Sequence, residues 1–180
     1  YMTMPNQVSR SIQAFTMWGR PTPQNNGCFL LKQMMREFDL LSNKGIYPTE
    51  FALTKSHLNG YIPLLGTEIS RQLGFMIDSA FYGIKNDYLL ELQKKNDQLK
   101  LKEVNEVIHK NLNYEKPTVV VVTKDADAFL KELKSGNCPI HYPPGVKKEK
   151  NILAEDEIIS KYPLKFDDAS IRTVASKEFF

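Results

Sequence analysis

The sequence predicts an α/β domain in which helices pack on a β-sheet. Three observations lead to this prediction. Residues 11–18 alternate as a strand does, residues 117–123 form a continuous β-branched run, and the segments between them place apolar residues at helical spacing. The length of 180 residues suits one domain, and 42% hydrophobic with 25% charged residues is typical of a globular chain.

The first predicted strand, residues 11–18, carries apolar side chains on both of its alternating faces. This pattern is typical of a strand inside a sheet. The strand is expected to end before Pro21 and Pro23, because proline cannot donate a hydrogen bond to a neighbouring strand.

Five helices are predicted between residues 26 and 112, because apolar residues recur there every three or four positions. Residues that favour helix ends separate them: Gly45 and Gly83 as stops, Thr49 as an N-cap, and the pair Asn86–Asp87 as a start. The third of these helices is expected to carry an apolar side. That side consists of Ile69, Leu73, Met76, Ile77, Ala80 and Phe81.

The β-branched run over 117–123 is apolar on both faces, so it predicts a central strand that is covered on both sides. Its neighbours in the sheet are expected to come from the tail, from another chain or from a parent protein. After it the pattern predicts a helix between Asp125 and Gly136, a proline-containing linker over 137–150, a short helix near 154–161 and a candidate last strand over 171–174.

The predicted organisation is an α/β domain over 1–136 and a linker with a C-terminal tail over 137–180 that packs on it. The chain begins with Tyr1 and offers few strands. We therefore expect the α/β domain to be an incomplete copy, truncated on its N-terminal side, and the chain to be the C-terminal piece of a longer protein.

Charge is spread evenly along the chain, and the formal net charge is +3. No segment forms a basic arm, so nucleic acid is not an expected partner. No run approaches the roughly 18 apolar residues of a membrane span, so no span is expected.

Motifs that carry catalysis or bind metal are missing from the sequence. His57, His109 and His141 belong to no HxxEH or HExxH pair, and Cys138 lies near His141 without a group to orient the imidazole. GxSxG, Walker A and GxGxxG motifs are also missing. The residues alone therefore predict no catalytic residue and no metal ligand in this chain, and they leave the substrate-binding residues unknown.

The two cysteines, Cys28 and Cys138, are far apart in the sequence. The favoured interpretation is two free thiols. A long-range disulfide is the alternative if the protein lies outside the cytosol.

Several stretches of the sequence are individually weak signals, but their order and spacing together are more specific than any one stretch. They are FTMWGRP at 15–21, LGFMIDSAFYG at 73–83 with DYL at 87–89, residues 101–112, residues 118–128, and a tail with Ile140, Tyr142, residues 155–158, residues 162–164 and Phe179. Together they cover nearly the whole chain. They resemble the C-terminal half of a bacterial pitrilysin/insulinase-type zinc metallopeptidase.

This resemblance implies a chamber of paired α/β domains that encloses unfolded peptides. One half of such a peptidase carries HxxEH and a distal Glu, and the other half supplies chamber wall and substrate contacts. This chain lacks HxxEH, so it resembles the half without metal. The implied parent is a zinc metalloendopeptidase whose zinc lies in the missing N-terminal half, and this chain holds no cofactor of its own.

The implied partners are that catalytic half, in the same polypeptide or as a separate subunit, and a peptide substrate. The envelope or periplasm is the location expected from bacterial relatives. The family holds the scissile carbonyl with an Arg and a Tyr, and this pair is not carried over to any position of this chain. Arg20, His57 and Arg71 are candidate substrate contacts, although surface ion pairs or helix caps are the favoured role for each.

Two further hypotheses stand beside the peptidase. One is a non-catalytic scaffold or assembly subunit of the same fold. The other is an unrelated helical interaction module, whose binding stripe would consist of Met34, Met35 and Phe38, residues that suit a core equally well.

Overall fold

The computed structural model describes residues 15–85 and 87–178, and within them every regular element is a helix. The α-helices of these ranges are α1 (Gly27–Lys44), α2 (Pro48–Tyr61), α3 (Ile69–Tyr82), α4 (Tyr88–Gln98), α5 (Leu101–Asn111), α6 (Ala126–Ser135) and α7 (Lys150–Ser160). Short 3-10 helices lie at Gln24–Asn26, Ile62–Gly66, Asp168–Ser170 and Ser176–Glu178.

The predicted β-sheet is wrong for the described residues, which contain no strand. Residues 15–18, 119–122 and 171–174 are irregular, and residues 11–14 of the first predicted strand lie outside the described part of the chain. A β-branched run is suited to a pleated surface, but a strand also needs a neighbour that accepts and donates its backbone hydrogen bonds. The chain as described offers no such neighbour.

The helices, in contrast, follow their local signals closely. The side chain of Asp87 accepts a hydrogen bond from the Leu90 amide at the start of α4, and Asp125 does the same for Ala128 at the start of α6. Gly45 follows α1 with a positive φ of 72°, as the predicted stop requires. These helices were predicted within a few residues, although α7 begins about a turn earlier than expected.

The N-cap predicted for α2 is wrong by two positions. Tyr47, not Thr49, precedes the helix, and Pro48 occupies its first position. Proline suits that position because its missing N–H would have no partner inside the helix. The Glu50 carboxylate accepts a hydrogen bond from the Tyr47 amide at 3.1 Å, which provides the polar contact expected at this helix start.

The first of two compact units contains residues 15–16 and 41–113 of the described chain. In it α2, α3 and α4 pack around the 3-10 helix Ile62–Gly66. Its buried apolar side chains are those of Ile62, Leu65 and Phe75. The side chain of Asn105 on α5 pairs with the backbone of Ile46 in both directions, at 2.9 and 3.2 Å.

The second unit contains residues 17–40, which include most of α1, and residues 114–178. Its core consists of Cys28, Phe129, Leu133 and Cys138, with Leu31, Leu130 and Leu164 packed against them. Residues from both predicted parts of the chain, 1–136 and 137–180, contribute to this unit. The predicted division at residue 136 stays a prediction.

Candidate functional site

The most unusual local feature of the second unit is the segment Thr118–Thr123, here called the valine segment. Val119 and Val121 are 48% and 43% exposed, whereas Val120 and Val122 are 82% and 96% exposed. This alternation places successive side chains on opposite sides, as in an extended chain. The side with Val119 and Val121 is about half covered by the protein, and the side with Val120 and Val122 is almost entirely exposed to water.

The backbone of the valine segment forms no hydrogen bond with any other described residue. A row of unpaired backbone donors and acceptors on an extended chain is what the edge of a β-sheet presents to a further strand. The valine segment combines that backbone with β-branched side chains on both sides.

Tyrosine contacts hold the chain just before this segment. The ring of Tyr114 packs edge-on against Phe38, with centroids 6.1 Å apart. The hydroxyl of Tyr162 donates to Asp39 at 2.7 Å and lies 3.1 Å from the hydroxyl of Tyr114. Burial, together with the hydrogen bond to Asp39, raises the pKa of Tyr162 well above its usual range, so the phenol remains a donor at neutral pH.

After the segment the chain enters α6, whose far end is held by a buried amine. Lys32 is only 2% exposed, and its Nζ donates to the carbonyls of Gly136 at 2.7 Å and Ser160 at 2.9 Å. These carbonyls lie at the C-terminal ends of α6 and α7, where the helix dipole favours a cation. Desolvation lowers the pKa of the Lys32 amine.

The predicted pair of free thiols is wrong, because Cys28 and Cys138 form a disulfide. The alternative prediction of a long-range disulfide is confirmed. This bond lies one helical turn from Lys32 and joins α1 to the chain after α6. It also rules out a nucleophilic role for Cys138 with His141, since the sulfur carries no thiol.

In the first unit, α3 leaves a second apolar surface exposed. We call it the α3 stripe; every one of its side chains is more than half exposed, and it consists of Ile69, Leu73, Met76, Ile77 and Phe81. The sequence identified these residues as the apolar side of the helix, and the described chain leaves that side exposed. The helix instead buries Gly74, Phe75 and Asp78. The Oδ2 atom of Asp78 has no hydrogen-bond partner among the described residues.

The three candidate substrate contacts each have local surroundings. Arg20 is exposed in the second unit. In the first unit the ring of His57 stacks on Tyr61 at 5.8 Å, and Arg71 pairs with Glu68 one turn earlier at 3.1 Å. Among the described residues of the first unit, no hydrogen bond or ion pair joins His57 to Arg71.

The other candidate residues also have ordinary environments. His109 and His141 are exposed, and the backbone of His141 is held by the side chain of Asn26 at 2.7 and 3.0 Å. The residues of the proposed binding module are half-buried in the second unit, namely Met34, Met35 and Phe38. No cluster of three His, Cys, Asp or Glu side chains suited to a metal ion occurs in the described ranges.

Sequence reasoning missed Lys32 entirely. One signal could have found it: Lys32 lies four residues after Cys28 and therefore on the same side of α1, which is a buried side. A lysine on a buried helix face requires acceptors, and free carbonyls at helix C-termini are suitable ones.

No family model, curated protein or solved structure matches this chain. Among residues 15–85 and 87–178, no helix combines the length and the apolar character that crossing a bilayer requires.

Proposed function

We propose that this chain is a non-catalytic component of a larger protein assembly, and that the assembly is a zinc-dependent peptidase. The observation that carries the first statement is the exposed valine segment. Monomeric proteins rarely leave extended apolar surface uncovered, and burial of one valine contributes about 1.5–3 kcal/mol. The valine segment and the α3 stripe are therefore surfaces that a partner would stabilise by covering them.

The second statement rests on the sequence resemblance described above, although the described residues lack the β-sheet that this resemblance implies. In this proposal the partner is the half that carries HxxEH, and zinc there supplies a Lewis acid and an activated water for peptide hydrolysis. This chain lacks the motif, so in this proposal the zinc lies in the partner half. The role of this chain is to form chamber wall and to contact an unfolded peptide. The disulfide is typical of an oxidising compartment, which supports the envelope location.

A scaffold without a direct role in cleavage is the second candidate function. The separate local partners of His57 and Arg71, both in the first unit, favour it, because residues that contact one substrate would be expected to converge. The two functions differ in whether cleavage responds to these side chains.

The test begins with cross-linking of the chain in its source cells, followed by mass spectrometry of the partner and of any sequence upstream of Tyr1. If the partner or upstream region carries HxxEH, reconstitution with and without this chain is followed by zinc-dependent cleavage of an unfolded peptide. Cleavage that requires this chain supports the peptidase component. A partner without HxxEH supports the scaffold, and a chain that is monomeric and unpartnered in its source contradicts both.

The substrate-contact role has its own control within this assay. The triple variant R20A/H57A/R71A should raise KM for the peptide several-fold if these residues contact substrate. Unchanged cleavage by the triple variant would assign them to the surface and leave the wall function to other residues.

A further inference from the structure

We infer that the valine segment, Thr118–Thr123, binds as an added strand to the open edge of a β-sheet in another polypeptide. This inference deepens the proposed function, on which it rests for the presence of a partner. It names the surface that binds and the chemistry of the surface that is bound.

Backbone geometry is the first argument. The segment alternates its side chains as an extended chain does, and its amides and carbonyls have no partner among the described residues. Along one side of such a segment, about half of the residues present both N–H and C=O groups to a neighbour. Strand addition satisfies these groups without changing the fold of the rest of the chain.

Preorganisation is the second argument. Before the segment, Tyr114 is held by its ring contact with Phe38 and by the hydroxyl of Tyr162. Beyond the segment, the side chain of Asp125 accepts a hydrogen bond from the Ala128 amide and starts α6. Both ends are thus positioned before any partner arrives, which reduces the ordering cost of binding.

The side chains determine which kind of sheet edge fits. Val120 and Val122 project into water on one side, and Val119 and Val121 are half-exposed on the other. A strand that is apolar on both sides is typical of sheets with both faces covered. The expected partner is therefore a covered sheet with one free edge, rather than a sheet with a solvent-exposed face.

Flanking charge disfavours pairing with a second copy of this chain in the register centred on Val120. Lys116 and Lys124 bracket the segment symmetrically about Val120, and both are exposed. Two copies paired antiparallel about Val120 would place Lys116 of one opposite Lys124 of the other, and parallel in-register pairing would place each lysine opposite itself. Like charges directly opposite each other are unfavourable in a sheet. The expected partner strand carries acidic residues at these flanking positions.

The direct test uses the purified full chain and a synthetic strand peptide, Glu-Val-Thr-Val-Thr-Val-Glu, with amide exchange read by mass spectrometry at single-residue resolution. With the peptide in excess, alternate amides of residues 118–123 should exchange at least 10-fold more slowly. A peptide with proline at its centre should have no effect, and a peptide with lysine in place of the terminal acids should bind more weakly. Unchanged exchange at millimolar peptide overturns the inference, as does equal protection by the proline peptide.

Variants of the chain separate backbone pairing from simple apolar contact. Val120→Thr and Val121→Thr keep the amide and the branched shape, so peptide binding should remain within a few-fold. Val120→Pro and Val121→Pro each remove one amide, and because adjacent amides point to opposite sides, at least one of them should weaken binding 10-fold or more. If both proline variants bind the peptide as tightly as the unmodified chain, the inference is contradicted. Unchanged helical circular dichroism establishes that the variants are folded.

The same exchange measurement on the polypeptide cross-linked in cells separates this inference from the proposed function. If an HxxEH partner is found but residues 118–123 exchange as in the free chain, the inference fails and the peptidase component stands. If alternate amides are slowed by a partner that lacks HxxEH, the inference stands and the peptidase fails. Protection that arises in a homodimer of this chain overturns the inference.

Discussion

Replacement of Lys32 by Met removes a buried amine from the second unit while it keeps the length of an unbranched side chain. The substitution deletes two hydrogen bonds from Nζ, at 2.7 Å to Gly136 and 2.9 Å to Ser160. The Ser160 carbonyl keeps one partner, the amide of Cys138 at 3.0 Å. Gly136 is exposed, so water can reach its carbonyl.

The magnitude follows from two opposing effects. Hydrogen bonds from a charged donor contribute about 1.5–3 kcal/mol each, which gives roughly 3–6 kcal/mol for the pair. Burial of the ammonium group costs several kcal/mol, and the methionine variant avoids this cost. We expect Lys32→Met to lower the free energy of unfolding by about 1–3 kcal/mol. Lys32→Ala should lower it further, because it also leaves a cavity beside the disulfide.

Urea unfolding followed by circular dichroism at pH 7, with the disulfide intact, measures this difference. Lys44→Met is the matched control, since Lys44 lies on the same helix but is exposed, and its effect should stay within about 0.5 kcal/mol. If Lys32→Met unfolds at the same urea concentration as the unmodified chain, or at a higher one, the cost of burying the amine outweighs its hydrogen bonds and the reasoning is refuted.

The same pair of proteins tests the lowered pKa of Lys32. Between that lowered pKa and the ordinary value of 10.5, the unfolded chain binds a proton that the folded chain has released. The contribution of this group to the free energy of unfolding therefore rises with pH across the window. The stability advantage of the unmodified chain over Lys32→Met should grow from pH 8 to pH 10.5, and a constant or shrinking difference would contradict this.

Three further predictions address the disulfide, a glycine and a tyrosine. Reduction of the disulfide, which closes a loop with a sequence separation of 110, should cost up to about 4–5 kcal/mol in urea unfolding, and a cost below about 1 kcal/mol would argue against a native crosslink. Gly45→Ala should lower the free energy of unfolding by more than 1 kcal/mol, because Gly45 has a positive φ and lies in close contact with Asn105. Gly60→Ala, on α2 with open space around it, should raise the free energy of unfolding by about 0.5–1 kcal/mol. Equal effects of the two substitutions would contradict this. Tyr142 should titrate with a pKa of about 12 in ultraviolet absorption, mainly because its hydroxyl donates to Asp156 at 2.6 Å. This hydrogen bond supports folding below pH 10, and its contribution is lost as the pH rises through about 12. Asp156→Ala should return the pKa toward 10, and an unchanged titration would contradict the assignment.

Helix positions could be predicted from the sequence because their signals are local. Asp87 and Asp125 each lie three residues before the amide they bind, and Gly45 needs only its own backbone conformation to end α1. The predicted start of α2 was wrong by two positions, because the N-cap role was given to Thr49 rather than to Tyr47, the residue before Pro48.

The sheet could not be predicted in the same way, since pairing depends on segments far apart in the sequence. Residues 118–123 have the side chains of a buried strand, and the described chain offers them no neighbour. The apolar side of α3 is a related case. Periodicity identifies Leu73 and Ile77 as one surface, but it does not say what covers that surface, and the described chain leaves it exposed.

The amino-acid sequence by itself determined the succession of helices, the caps at Gly45, Asp87 and Asp125, and the absence of a catalytic motif, because each depends on residues within a few positions of one another. Only the tertiary structure decided that Cys28 bonds to Cys138, that Lys32 joins the ends of α6 and α7, and that Tyr162 meets Asp39. These contacts join residues more than 100 positions apart. They depend on how the helices pack, and periodicity along a single segment carries no information about that packing.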